Sequence, residues 1–160
     1  MRRLVPLALL LALAASSPSF ADAESDRVTC FSLGNENYKD AEKFDIGLAA
    51  CSRMIDSGRY KDKGLASIYR ARASWKEKKR DLDAALQEYD RATKIDPTYA
   101  AAYYSRGQVY EKKGDLDKAR AEYNAALAVP TINRIAQLAQ DTARARLKAL
   151  AEGAKQEPVK

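Results

Sequence analysis

Ala66 to Tyr99 reads ASIYRARASWKEKKRDLDAALQEYDRATKIDPTY, and the next 34 residues, Ala100 to Asn133, read AAAYYSRGQVYEKKGDLDKARAEYNAALAVPTIN. Shifting one stretch onto the other pairs thirteen identical residues. They are Ala66/Ala100, Tyr69/Tyr103, Arg72/Arg106, Glu77/Glu111, Lys78/Lys112, Lys79/Lys113, Asp81/Asp115, Leu82/Leu116, Asp83/Asp117, Ala85/Ala119, Glu88/Glu122, Tyr89/Tyr123 and Ala92/Ala126. Chance gives about two or three matches at this composition, so the period is a structural repeat. Each unit predicts two helices and a turn. Ala66 to Lys79 and Ala100 to Lys113 lack proline, and Gly107 is the one glycine in them. Arg80-Asp81 and Gly114-Asp115 interrupt them, glycine suiting a left-handed residue past a helix end and aspartate an N-cap. The second helices, Leu82 to Ile95 and Leu116 to Val129, stop before Asp96-Pro97 and Pro130, because proline blocks continuation.

Small and aromatic residues recur at fixed places: Tyr69, Ala73, Ala85, Tyr89, Ala92 and Pro97 in one unit, and Tyr103, Gly107, Tyr110, Ala119, Tyr123 and Ala126 in the next. This pattern resembles the tetratricopeptide-repeat family. Lys76 stands where the family has an aromatic, with Trp75 beside it, and Arg72 and Arg106 replace a usual leucine. Pro130 comes one residue early. The resemblance implies an all-α, right-handed superhelix in which small residues admit close helix approach and tyrosines fill the space beside them. One unit cannot bury its apolar stripe alone, so the flanks must supply neighbours. Residues 24–65 read as a degenerate first repeat, with Phe44 and Cys51 in the places of Leu82 and Tyr89. The connector 57–64 is long. Residues 134–153 read as a capping helix with an apolar edge of Ile135, Leu138, Thr142, Leu147 and Leu150, ended by Gly153. Residues 154–160 read as a disordered tail.

The amino-terminal residues 1–23 have the three parts of a secretory signal: Arg2 and Arg3, an apolar run from Leu4 to Ala15, and small polar residues ending in Ala21 and Ala23. Cleavage fits after either alanine. The run is shorter than the roughly 20 residues a membrane span needs, so no integral span is expected in the mature chain. The reading is an exported protein, periplasmic or secreted. Loss of Arg2, Arg3 and Asp22 takes the net charge from +6 to about +5. Two cysteines, Cys30 and Cys51, in an exported chain predict one disulfide, closing a loop of about 20 residues.

No histidine occurs, which removes the commonest general base and metal ligand. No phosphate loop, glycine-rich cofactor turn or metal-ligand cluster is present. Asp81/Asp83 and Asp115/Asp117 recur at helix starts, where capping explains them better than acid–base chemistry. Neither an enzyme nor a cofactor is expected.

The family resemblance implies a ligand groove lined by the first helix of each unit. Its candidates here are Ser67, Arg70, Ser74 and Glu77, then Ala101, Tyr104, Gln108 and Glu111. Arg70, Ser74, Trp75, Tyr104 and Gln108 stand out as partner-binding residues, with ordinary solvated surface as the alternative. The family's clamp for a terminal carboxylate wants asparagines where this chain has Ser74 and Ser105, so that mode is not supported. The basic run Lys76-Glu77-Lys78-Lys79-Arg80 suits an anion-binding surface, but cations in a last helical turn also complement its dipole. The expected role is protein–protein interaction, as an envelope adaptor or assembly factor binding a protein or peptide. An anion-binding structural protein at the membrane surface is the alternative. No nucleic-acid partner is expected. Binding through an edge, or self-association into a homo-oligomer, stays open.

Overall fold

The computed structural model describes residues 20–32 and 41–154. Residues 1–19 of the expected signal segment lie outside them, as do residues 155–160 of the expected tail. Seven helices make up the described part, with no strand among the described residues: α1 Phe20–Phe31, α2 Ala41–Asp56, α3 Asp62–Lys78, α4 Leu82–Ile95, α5 Ala100–Lys112, α6 Leu116–Ala128 and α7 Arg134–Ala154. Consecutive helices pack as antiparallel pairs, α3 on α4 and α5 on α6 most extensively. The odd-numbered helices also touch one another, α1 with α3, α3 with α5 and α5 with α7. They form one layer, and α2, α4 and α6 form the other. The fold is the all-α solenoid that the period implies.

Turn chemistry sets the pairs. α3 ends with Arg80 at φ 65° and α5 ends with Gly114 at φ 79°. Beyond each, the aspartate N–H turns back to a carbonyl five residues earlier, Asp81 to Lys76 at 3.0 Å and Asp115 to Tyr110 at 2.9 Å. This is the bond that closes a left-handed helix terminus. The same aspartates then cap the next helix, accepting from Ala84 N–H at 3.2 Å and Lys118 N–H at 3.3 Å. Arginine occupies the left-handed position in one unit at a steric cost that glycine avoids in the other.

α3 starts at Asp62, four residues before the repeat boundary at Ala66, which shortens the connector to 57–61. α7 continues through Gly153 to Ala154. The edge expected of α7 divides. Ala136, Ala139, Gln140 and Ala143 are buried, while Ile135 and Leu138 face outward. Gln140 is the reason for this rotation. Its Nε2 donates to Ala126 O at 3.1 Å and Val129 O at 2.7 Å, the open carbonyls at the end of α6.

Trp75 is not a groove residue. It is fully buried in a cluster with Cys30, Ala50, Cys51, Met54, Ile68 and Ala71. Its Nε1–H donates to Cys30 O at 2.9 Å. Gly47 makes the room, since a Cβ there would meet the indole at 2.4 Å. Cys30 and Cys51 form a disulfide joining α1 to α2, with Cα atoms 4.9 Å apart. Trp75 therefore locks α3 onto the cross-linked pair.

The two arginines at the family's leucine position meet a glutamate of the partner helix. Arg72 donates to Glu88 at 2.8 Å and Arg106 to Glu122 at 2.9 Å. Burial raises the Glu122 carboxyl above its ordinary range, against the pull of Arg106. The tyrosines at the helix-B aromatic position are buried, Tyr123 lying on Gly107, where a Cβ would meet its ring at 2.7 Å.

Four outcomes test this packing. Intact mass with and without reductant should show no free thiols in the native chain. Cys30→Ser with Cys51→Ser should lower unfolding free energy by about 3 kcal/mol and redden Trp75 emission; two free thiols in the native chain would contradict the bridge. Arg80→Gly should raise stability by about 0.5–1 kcal/mol, since relief of about 1–2 kcal/mol of left-handed strain exceeds the entropy cost of glycine. Burial, with Tyr104 and Glu77 nearby, pushes the Tyr123 hydroxyl up to about 12. The folded state therefore holds a proton that the unfolded chain releases near pH 10, and stability should fall as pH climbs from 10 toward 12. Denaturant melts across that range check this, with a shallower fall expected for Tyr123→Phe.

Candidate functional site

The odd-numbered layer lines a concave groove of about 650 Å³. Arg70 and Ser74 of α3, Tyr104 and Gln108 of α5, and Leu138 and Thr142 of α7 line it. A smaller hollow continues it at the helix starts, through Ser67, Tyr99, Ile132 and Ile135. Another continues it at the helix ends, through Glu111, Lys112 and Arg146.

Four of the five sequence-predicted groove residues therefore share one site. Arg70 donates through Nε to Tyr99 OH at 2.7 Å and lies over that ring. Ser74 Oγ lies 2.9 Å from Tyr89 OH. Tyr104 packs on Tyr123 with ring centroids 5.8 Å apart, and partial burial raises its hydroxyl pKa. Gln108 lines the groove between the two ends. Trp75 is absent from it. The self-comparison carried the signal for that, because it pairs Trp75 with Val109, an aliphatic residue that is also fully buried.

The sequence reading did not single out Phe31, Lys112, Arg146, Ile135 and Leu138 as groove residues. Phe31 enters because the disulfide holds the end of α1 against the layer. The α7 residues were legible by extending the 34-residue shift once more. It carries Ser67 to Ala101 to Ile135, Arg70 to Tyr104 to Leu138, and Ser74 to Gln108 to Thr142. α7 is thus a first helix of the same register.

Charge follows the same register. Lys112 of α5 bonds Glu77 of α3, and Arg146 of α7 bonds Glu111 of α5. Beneath each carboxylate a buried tyrosine donates, Tyr89 to Glu77 at 3.0 Å and Tyr123 to Glu111 at 2.7 Å. The basic run is dispersed rather than presented as one patch. Lys76 reaches buried Glu88 at 3.2 Å, Lys78 lies over the Phe44 and Trp75 rings, and Lys79 bonds Asp45. Among the described residues there is no group of side chains able to hold a metal ion, and no helix long and apolar enough to cross a membrane.

Two family models match the sequence, one described as TPR repeat over residues 78–114 and one as tetratricopeptide repeat over residues 100–129. No curated protein gives a match. Among solved structures, the chain is similar to the TPR domain of Arabidopsis OM64, with 23% identity and a TM-score of 0.54, covering 78% of this chain and 98% of that one. It is also similar to the second TPR domain of human RPAP3, solved with the HSP70 peptide SGPTIEEVD, with 18% identity and a TM-score of 0.55, covering 78% and 96%. These likenesses carry the fold. The family models, matching at the repeated tyrosine, alanine and glycine positions, identify residues 78–129 of this chain as tetratricopeptide repeats.

Proposed function

We propose that this protein is an exported interaction scaffold, an adaptor or assembly factor of the cell envelope, whose groove takes a segment of a partner protein. The family's role is typically non-catalytic protein–protein interaction, and the solved RPAP3 relative holds a peptide. The observation that carries the reading is the groove itself. Its lining exposes Phe31, Ile135 and Leu138 to solvent on one concave face, and clustered apolar exposure of that kind marks an interaction surface. The residues around it are tied by the bonds described above, so the face is rigid before a ligand arrives and little ordering entropy opposes binding.

The export assignment rests on the signal-like residues 1–23 and on the disulfide, a bond that persists in oxidising compartments. Cleavage after Ala23 keeps Phe31, which lines the groove, together with Cys30 and the Asp26–Arg53 ion pair, which hold α1 on α2. The membrane-surface alternative loses support from the dispersal of the basic run, whose lysines are engaged separately with Glu88, Asp45 and the Phe44 ring.

Two measurements test the proposal. Amino-terminal sequencing of the fractionated native protein should find Asp22 or Glu24 first, in the exported fraction; an intact Met1 in the cytosol would sink the assignment. Crosslinking and pull-down from envelope extracts should recover a protein partner whose yield drops about tenfold with Tyr104→Ala, the cost of one anchor of about 1.5 kcal/mol. Capture that ignores Tyr104→Ala yet vanishes at moderate salt would instead favour the basic surface.

A further inference from the structure

α7 carries two apolar stripes, and the solenoid uses one of them. Ala136, Ala139 and Ala143 are buried, and Leu147 and Leu150 pack on the same side. Beside that stripe runs a second, Ile135, Leu138, Thr142, Ala145 and Ala149, at steps of three, four, three and four. Those steps are the spacing of a seam that packs along another helix. Ile135 and Leu138 are 62% and 67% exposed, and Ala145 and Ala149 are exposed too. The 34-residue shift assigns this side of a first helix a task. On α5 the matching positions are Ala101, Tyr104 and Glu111, and they receive α7. Ala101 and Tyr104 pack with Ala136 and Ala139, and Glu111 takes Arg146. On α7 the side that receives a helix is turned to water.

The seam's own chemistry selects the helix that fits it. Glu77 and Glu111 each receive a cation of the next odd-numbered helix, and Ala145 stands at their place. The seam therefore does not repeat the carboxylate that ties each layer helix to the next. Its two halves differ instead, with large aliphatics in the first and alanines in the second. Such a stripe complements its own reverse, since packed helices set large side chains against small ones. Parallel pairing would put leucine on leucine at one end and alanine on alanine at the other, which no single interaxial distance fits. Charge then sets the register. Arg134, Asp141, Lys148 and Glu152 run along one flank of the seam. Antiparallel pairing about a two-fold axis between Ala143 and Arg144 brings Arg134 beside the partner's Glu152, and Asp141 beside the partner's Lys148. Shifting by one heptad would put Asp141 on the partner's Asp141. Within α7, Asp141 bonds Arg144 and Glu152 bonds Lys148, but all four groups are exposed, and pairs of that kind exchange at little cost.

We propose that this protein is a two-fold homodimer in which the α7 helices of two copies pack antiparallel along this seam. Leu138 lies on the partner's Ala149, Thr142 lies on the partner's Ala145, and Ile135 falls on the last turn of the partner helix. A two-fold contact uses the same patch on both copies, so the seam is covered in a pair and the assembly closes there. The two odd-numbered layers meet through α7. Arg70, Tyr104 and Gln108 of each copy stay open to a ligand, so the dimer goes beyond the groove reading and does not depend on it.

Sedimentation equilibrium of the native protein, from about 1 μM to about 500 μM, should show the mass rising from one copy to two and no further. Leu138→Asp should raise the dimer Kd about a hundredfold, because two leucines leave the interface. Circular dichroism melts confirm that the variant folds, and Ala149→Arg serves where Leu138→Asp does not. Arg134→Glu should weaken the dimer about fivefold, and adding Glu152→Arg to the same chain should restore it, since the exchanged charges meet again across the axis. Chains carrying Leu138→Cys, mixed with chains carrying Ala149→Cys, should crosslink to one another and not to their own kind. A protein that stays one copy at about 500 μM, or a dimer indifferent to Leu138→Asp, would overturn the proposal. Crosslinking of Leu138→Cys chains to themselves would overturn it too, because that contact belongs to a parallel pair. None of these readouts involves the groove's ligand, so the dimer can fail while the groove reading stands, and the reverse.

Discussion

Tyr123 holds the solenoid together from inside. Its ring lies on Gly107, which sets how closely α5 and α6 approach, and its hydroxyl donates to Glu111 at 2.7 Å. That glutamate receives Arg146 from the next helix of the layer. One buried residue thus couples the packing of a pair to the stacking of the following helix. Tyr89, Glu77 and Lys112 repeat the arrangement one unit earlier. Because a buried hydroxyl needs a partner and a buried carboxylate needs compensation, the helices cannot slide without stranding both.

The ends of the stack solve a different problem. At the amino-terminal end of the described residues a disulfide and a tryptophan hold the first pair. Cys30 and Cys51 constrain α1 against α2, and Trp75 fills the space that Gly47 leaves. At the other end of the described residues α7 is fixed by Gln140 on the carbonyls that close α6. Successive register positions carry Trp75, Val109 and Ala143, all fully buried. The core side chain shrinks along the stack from the cross-linked end to the cap.

These same devices shape the concave face. The disulfide brings Phe31 to the groove, and the glutamine lock turns Ile135 and Leu138 toward it. The charge along this face follows the stacking, each cation that reaches back to the preceding helix pairing with a carboxylate there.

Much of this was legible in the residues. The 34-residue period, the aspartate caps, Gly114 and the proline-terminated second helices are local or self-matching features. Local physics settles them, so α4 falls at Leu82–Ile95 as the pattern requires. The cysteine pair needed only the count and the expectation of export. Tertiary packing decided what local physics leaves degenerate. Trp75 is amphipathic and sits beside the family's aromatic position, so its direction depended on a glycine 28 residues away. The stripe on α7 satisfied helical periodicity in more than one rotation, and Gln140 chose between them. The sequence by itself determined that this chain stacks helical pairs and where each pair turns. Which face of the last helix meets water, and hence what the groove is made of, came only with the fold, because a helix's rotation is set by the groups it must satisfy on its neighbours.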